Sequence, residues 1–134
     1  MRKSLLNQCL TLAKKKLYKH PQLEHYPHFS FIIVDNQICG FGTNNSHEPD
    51  KKYGYHKRID KDDFIPKTHS EADALRKCRN RLTNKWEIVN IRLSKAGLTR
   101  LSCPCSVCLR LLLCFNCSKI YFSTPTQEWG IIKC

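Results

Sequence analysis

No stretch of the chain approaches the roughly 18 apolar residues that a membrane-spanning helix needs, and no membrane partner is expected. Glycine is scarce, at 5 residues, and no internal repeat or low-complexity segment is visible, so a collagen-like chain is excluded. Acidic side chains are few: 11 against 23 basic ones, a net charge of +12. That excess points to an anionic partner such as phosphate, nucleic acid or an acidic surface, with plain solubilisation as the alternative. The opening MRKSLLNQCLTLAKKKLYKH is basic but lacks a continuous apolar core of roughly 7 or more residues. No secretory signal is read there, and a cytoplasmic, reducing setting is expected. What remains is ordinary for a globular protein. The chain has 134 residues, one domain's worth, with 41% hydrophobic and 25% charged residues, which excludes a disordered chain and a coiled coil.

Cysteine is the unusual figure. There are nine: Cys9, Cys39, Cys78, Cys103, Cys105, Cys108, Cys114, Cys117 and Cys134. An odd count in a reducing setting argues against a disulfide framework, and the crowding between 103 and 117 points to metal or catalysis.

Hydrophobic spacing over 4–18 predicts a helix with Leu5, Leu6, Cys9, Leu12, Ala13 and Leu17 near one face. Lys14, Lys15, Lys16 and Lys19 load its last turn, where cations suit the helix dipole, and Pro21 ends it. HFSFIIV at 28–34 and QICGFGT at 37–43 read as strands of a hairpin turning at Asp35–Asn36. About 25 polar, basic residues follow, 44–68; a connection this long inside a compact domain is functional or disordered. Residues 70–83 read as a helix, 86–94 as a strand and 95–101 as a turn around Gly97. Pro104 suits the first position of a helix over 104–115. The tail LRLLLCF of that helix is apolar on most sides and is expected to be buried on most sides. KIYFS at 119–123 is a further strand. The order α, β, β, α, β, α, β predicts an α/β domain in which helices cover one sheet.

Two short strings carry chemistry. His69-Ser70-Glu71 stands at the start of one predicted helix, and Pro104-Cys105-Ser106-Val107-Cys108 at the start of the next. Cys105 and Cys108, three apart, face the same way in a helix, and a first turn favours thiolate. Two thiolates on one face are half of a tetrahedral zinc site. His69 can supply a third ligand, leaving one position for water as in a catalytic zinc. Two thiolates cancel the charge of the ion, so its water needs a base nearby. Glu71, two residues beyond His69, is placed to take a proton and pass it to a leaving nitrogen.

Plainer readings stand beside this one. Thr68 through Glu71 fits a helix capping box with Thr68 at the cap. Cys105-x-x-Cys108 and Cys114-x-x-Cys117 could be two arms of a structural zinc knot, although few residues separate them. Cys103 reads as a flanking thiol, and Cys39, Cys78, Cys114 and Cys117 as small buried apolar residues. His20, His25, His28, His47 and His56 read as surface or turn residues, with a second zinc site through His47 or His56 left open.

Together, His-x-Glu and Pro-Cys-x-x-Cys, each at a helix start and separated by a strand, resemble the signature of the cytidine/deoxycytidylate deaminase superfamily, the zinc-dependent nucleobase deaminases. The resemblance covers roughly 28–123; the motif residues are its specific part and the remainder is topological. It implies a three-layer α/β/α, cytidine-deaminase-like fold over 1–134, with a mixed sheet of four to five strands flanked by helices. It implies that His69, Cys105 and Cys108 bind Zn2+, that Glu71 shuttles protons, and that water displaces the ring amine as ammonia. A homo-oligomer is expected. In the family an asparagine just after the second strand contacts the sugar. Phe41-Gly42-Thr43-Asn44 matches in position, so Asn44 is the candidate, with Asn45 or an ordinary turn asparagine as alternatives.

The branch of the family is read from the remaining segments. Eleven residues follow Ser123, fewer than the roughly dozen that a parallel crossover takes. Trp129–Lys133 is therefore expected to pair antiparallel with 119–123 or to lie off the sheet. The tRNA adenosine and deoxycytidylate deaminases typically continue through a helix here. Free-cytidine deaminases have an antiparallel ending but carry Arg-Gln after the second cysteine, where this chain has Leu109-Arg110. The strand over 88–93, the Gly97 turn and the Cys-rich helix look most like small deoxycytidylate-type enzymes. The basic loop precedes His69 and is expected at the pocket mouth. There Lys51, Lys52, Lys57 and Arg58 would bind a nucleotide phosphate, and Tyr53, Tyr55 and Phe64 would stack on bases. A solvated loop partly neutralised by Asp60, Asp62 and Asp63 is the alternative. A polynucleotide track would add Arg92, Lys95, Arg100 and Arg110.

The expected function is hydrolytic deamination of cytosine in a nucleoside or nucleotide, deoxycytidylate foremost. Editing of cytosine or adenine in single-stranded DNA or RNA, tRNA included, is the second expectation. A zinc-stabilised nucleic-acid-binding module without turnover is the third.

Overall fold

The computed structural model describes residues 3–19, 27–44 and 69–134. Its sheet starts from a hairpin. β1 (His28–Val34) and β2 (Gln37–Thr43) run antiparallel, joined by Asp35 and Asn36 at φ 52° and 60°. Both values are left-handed, as a tight two-residue hairpin turn demands, and Asp and Asn tolerate that region better than most residues. On its other side β1 pairs antiparallel with β3 (Trp86–Leu93), the partner of the two-residue β4 (Thr99–Arg100). β3 pairs parallel with β5 (Cys117–Phe122), and β5 antiparallel with β6 (Gly130–Lys133). The order is β2-β1-β3-β5-β6, with β4 off this path. Of the two placements expected for the last segment, the antiparallel one is found.

Among the described residues, three helices flank this open mixed sheet. The period-two alternation of the strands divides the core. Phe29, Phe31, Ile33, Val89, Ile91 and Leu93 face α1 (Lys3–Lys19) and pack with its Leu5, Leu6, Cys9 and Ala13. Ile32, Ile88 and Ile120 face the other way. They pack with Ala72 and Leu75 of α2 (Ser70–Cys78) and with Leu111 and Leu112 of α3 (Ser106–Cys114). β2 and β3 point the same way, since each is antiparallel to β1. The connections β2–α2–β3 and β3–α3–β5 therefore both join parallel strands and step in the same direction across the sheet. Crossovers of one hand stepping one way put their helices on one face. α2 and α3 accordingly lie together, and both begin at the carboxyl ends of β2 and β3, the usual position of a ligand site in an α/β sheet.

Some local expectations shift. The helix expected over 70–83 ends at Cys78 and tightens into a 3-10 turn over Arg79–Arg81. The expected 95–101 turn contains β4. α3 starts at Ser106, so Pro104 sits ahead of the capping residue Cys105 rather than at the first helical position. Nor is α3 buried on most sides: Val107, Cys108, Leu111 and Leu112 face inward, whereas Leu113 is 46% exposed and Arg110 and Cys114 face outward. The sheet covers one side of α3, and no second layer of described residues covers the other. No helix among the described residues is long and apolar enough to cross a membrane.

β2 and α2 touch most closely at Gly42. A Cβ there would meet Ala74 N, Ser70 O at 2.5 Å and Asp73 C at 2.8 Å, all backbone atoms that cannot swing aside. Asp73 Oδ2 also accepts the Thr43 N–H at 3.0 Å, so the end of β2 is held against the first turns of α2. Gly42→Ala is expected to lift α2 from the sheet and cost roughly 1–3 kcal/mol, read as a lower urea midpoint. An unchanged midpoint would show that the contact is loose in solution.

Candidate metal centre

α2 and α3 each begin on a residue with extended backbone. His69 (φ −87°, ψ 155°) caps α2, and Cys105 (φ −67°, ψ 166°) caps α3. Their carbonyls accept the first helical bonds, from Asp73 N at 3.1 Å and Leu109 N at 2.8 Å. Cys108, one turn into α3, donates its N–H to Cys105 Sγ at 3.4 Å, so a sulfur stands where a serine or aspartate oxygen usually caps. Because both helices start at one end of the sheet, the three side chains converge. His69 Nδ1 lies 3.3 Å from Cys108 Sγ and 3.8 Å from Cys105 Sγ. The three ligand atoms all fall within 4.8 Å of one another, a His/Cys/Cys group that could hold a metal ion. The Cys105 thiol is lowered to about 3, foremost by its hydrogen bond with the Cys108 side chain; the His69 ring and the Cys108 N–H act the same way, against burial.

The other cysteines stay apart from this group. Cys103 is an exposed neighbour. Cys108 and Cys114 are six residues apart on one helix, about 9 Å along its axis, so the two Cys-x-x-Cys pairs do not share an ion. Cys78 and Cys117 are buried as expected, Cys39 is half-buried, and Cys114 is exposed, contrary to expectation, because it lies on the uncovered side of α3.

His69, Glu71 and Cys105 open onto a cavity of about 180 Å³, lined also by His28, Asn44, Ser70 and Cys103. That is below the roughly 300–1,000 Å³ of sites for drug-sized ligands and suits a single ring. Larger clefts of about 340 and 610 Å³ lie against α1 and contain none of the three metal-donor residues. Asn44 follows β2 directly. Its Oδ1 accepts the His28 N–H at 3.0 Å, and its own N–H reaches His28 O at 3.4 Å. The β1–β2 ladder thus runs one step further and fixes Asn44 in the cavity wall. Asn45, His47, Lys51, Lys52, His56, Lys57 and Arg58 lie outside the described residues.

His28 is a correction. Sequence assigns it to surface or turn, yet it lines the cavity across from Asn44. Burial foremost, then the charges of Arg92 and His69, lowers it to about 4 against the opposing pull of Cys105. It is neutral at pH 7. No local signal gives this, since the two-residue turn alone would set His28 opposite Thr43 and the register shift at Ile32/Ile33 moves it opposite Asn44.

The capping box is also corrected. The cap is His69, which makes no side-chain capping bond, and Glu71 turns inward. Only 4% exposed, its Oε1 accepts from Ser70 Oγ at 3.0 Å and its Oε2 from Asn90 Nδ2 at 3.1 Å. Ser70 Oγ lies 2.7 Å from Ser30 Oγ, which donates to Asn90 Oδ1 at 2.8 Å. These four contacts close a ring. Burial pushes the Glu71 carboxyl up, outweighing its own backbone N–H, the His69 charge and Ser70, which pull it down. Asn90 and Ser30, not singled out in the sequence, belong to the site through this ring.

No protein-family model matches the chain, and no curated protein matches it.

Two predictions arise from this geometry. Cys105→Ala and Cys108→Ala are each expected to lose bound metal, and Cys103→Ala to keep it, measured as metal per chain after gel filtration. Full metal in Cys108→Ala would point to other donors. For His28, the folded value of about 4 lies below the ordinary 6.5, so the unfolded chain takes up the extra proton. Its stabilising contribution is complete above pH 6.5 and is lost as pH falls toward about 4. The urea midpoint of wild type should therefore fall toward that of His28→Gln across this window; a constant gap would place His28 in solvent.

Proposed function

We propose that this chain is a zinc-dependent deaminase that removes the amine of a cytosine ring in a nucleoside or nucleotide, deoxycytidylate foremost. The observation that carries this reading is the convergence of His69, Cys105 and Cys108, with the Glu71 carboxyl on the wall of the same cavity. Zn–S bonds of about 2.3 Å and Zn–N bonds of about 2.0–2.1 Å in a tetrahedral site put ligand nitrogen and sulfur roughly 3.6 Å apart. The distances of 3.3 and 3.8 Å bracket that value. His69, Cys105 and Cys108 would hold the ion. Bound there, Zn2+ would supply a Lewis acid that makes water nucleophilic near neutral pH. A structural zinc is usually closed by four protein ligands, and the group among the described residues has three.

Glu71 moves the protons. Its carboxylate takes one from the attacking water and gives it to the departing amine, and a raised proton affinity suits a group that must both hold and release a proton. Neutral His28 and Asn44 line the cavity and offer polar edges to base and sugar. The cavity volume of about 180 Å³ favours one ring, so a base within a polymer would have to enter flipped out of its stack. The antiparallel β6 favours the free-cytidine side of the family that the motifs resemble, while the net charge of +12 favours a phosphorylated substrate. The same charge supports a second reading, deamination within single-stranded DNA or RNA.

The test is ammonia release by zinc-loaded protein from cytidine, deoxycytidine, deoxycytidylate, a single-stranded cytosine oligonucleotide and a tRNA anticodon arm. Turnover is expected on a monomer, with Glu71→Ala lowering it by roughly 10²–10⁴ while zinc is kept. Ammonia from none of the five, or a wild-type rate in Glu71→Ala, overturns the proposal. Activity confined to the polymers and falling steeply with salt selects the second reading.

A further inference from the structure

We infer that Asn90 is a positioning residue that fixes the Glu71 carboxyl relative to the start of α3. Asn90 stands in the middle of β3, 2% exposed, on the sheet face whose neighbour Ile88 packs into the core beneath α2 and α3. An amide in such a place is costly unless its polar atoms are satisfied. Here they are. Oδ1 accepts the Ser30 hydroxyl at 2.8 Å, and Nδ2 donates to Glu71 Oε2 at 3.1 Å and, at 3.4 Å, to Ser102 O. Ser102 answers with its hydroxyl to Asn90 O at 2.7 Å.

Ser102 lies three residues before Cys105. One side chain thus ties the carboxyl that follows His69 to the segment that delivers Cys105, and so spans the two motifs at a point where neither reaches the other. The residue type follows from the partners. A carboxylate and a carbonyl both need donors, and one amide nitrogen supplies two hydrogens in a fixed plane. Aspartate has no hydrogen to give and would set a second negative charge against Glu71; leucine has neither donor nor acceptor. The amide orientation is fixed as well, because turning it over would put Oδ1 against Glu71 Oε2. Ser30, directly opposite Asn90 in the β1–β3 register, holds the acceptor side.

The kinetic consequence rests on the proposed deaminase reading, whereas the placement does not, and the experiment separates them. In zinc-loaded Asn90→Asp, Asn90→Leu and Ser30→Ala, metal content is expected to stay at the wild-type level. In the two Asn90 variants kcat falls roughly 10²-fold while KM for the nucleotide holds. Ser30→Ala, which leaves the donor to Glu71 in place, shows a smaller fall of the same kind. A merely structural role would lower metal content and melting temperature together with kcat. Wild-type kcat in Asn90→Asp overturns the inference.

The second arm needs no turnover. In ¹⁵N-labelled protein the Asn90 side-chain amide hydrogens are expected to be protected from exchange, and Glu71→Gln to shift one of the two resonances. A freely exchanging amide that Glu71→Gln leaves unmoved overturns the inference even in an active enzyme. A protected, coupled amide in a protein that releases no ammonia keeps the placement and removes the deaminase reading instead.

Discussion

Everything at the candidate centre depends on two helices starting at one end of the sheet. That constraint is topological. α2 and α3 each cross between parallel strands in the same direction, and the preferred hand of such crossovers leaves them on a common face. Their capping residues then fall close together, and extended backbone at each cap turns the His69 and Cys105 side chains out of the helical stack. The partial positive charge of a helix start favours thiolate. The scaffold therefore supplies the imidazole, the ionised sulfur and the stabilising field from geometry already imposed by the strand order. Gly42 belongs to the same constraint, since the lack of a side chain there lets β2 come down onto the first turns of α2.

The second feature is a polar inclusion in an apolar layer. Ser30, Ser70, Glu71 and Asn90 are all buried, and Ile32, Ile88, Ala72 and Leu75 surround them on the same elements. Hydrophobic residues in those four places would pack without any desolvation cost, whereas buried polar networks stabilise only when every member is satisfied. The ring through Glu71 meets that requirement, since each of its polar side-chain atoms has a partner.

How much of this was legible in the sequence follows from the range of each signal. The residues of the group that could hold a metal were readable because they are local: an i, i+3 cysteine pair and a histidine two residues before a glutamate, each at a helix start. The β1–β2 hairpin was readable from Asp35–Asn36, which tolerate left-handed backbone, and Asn44 from its place after β2. Errors of two residues, such as Pro104 inside rather than ahead of α3, arise because proline suits both places and local pattern does not separate them. Long-range pairing was out of reach. Ser30 meets Asn90 through the β1–β3 register, and His28 meets Asn44 by continuing the β1–β2 ladder, and neither register is written in the periodicity of a strand. The outward face of α3 was misjudged for a related reason, since an apolar run does not reveal how many layers lie above it.

The electrostatics of the cavity bear on the proposed reaction. A structural clasp needs only that its cysteines ionise. Here three groups on one cavity wall depart from their ordinary values in different senses: Cys105 is drawn down by its hydrogen bonds, Glu71 is pushed up by burial, and His28 is held down by burial and neighbouring charge. At neutral pH this gives a thiolate, an uncharged imidazole and a carboxyl with enhanced proton affinity within one ring-sized space. Environments that drive neighbouring titratable groups apart are the usual means of dividing labour between proton donor and acceptor. A clasp would derive no benefit from a buried carboxyl in its wall, which costs desolvation and supplies no ligand to the His/Cys/Cys group. In the proposed deamination the same carboxyl has a use, because a proton must leave water and arrive on a departing nitrogen.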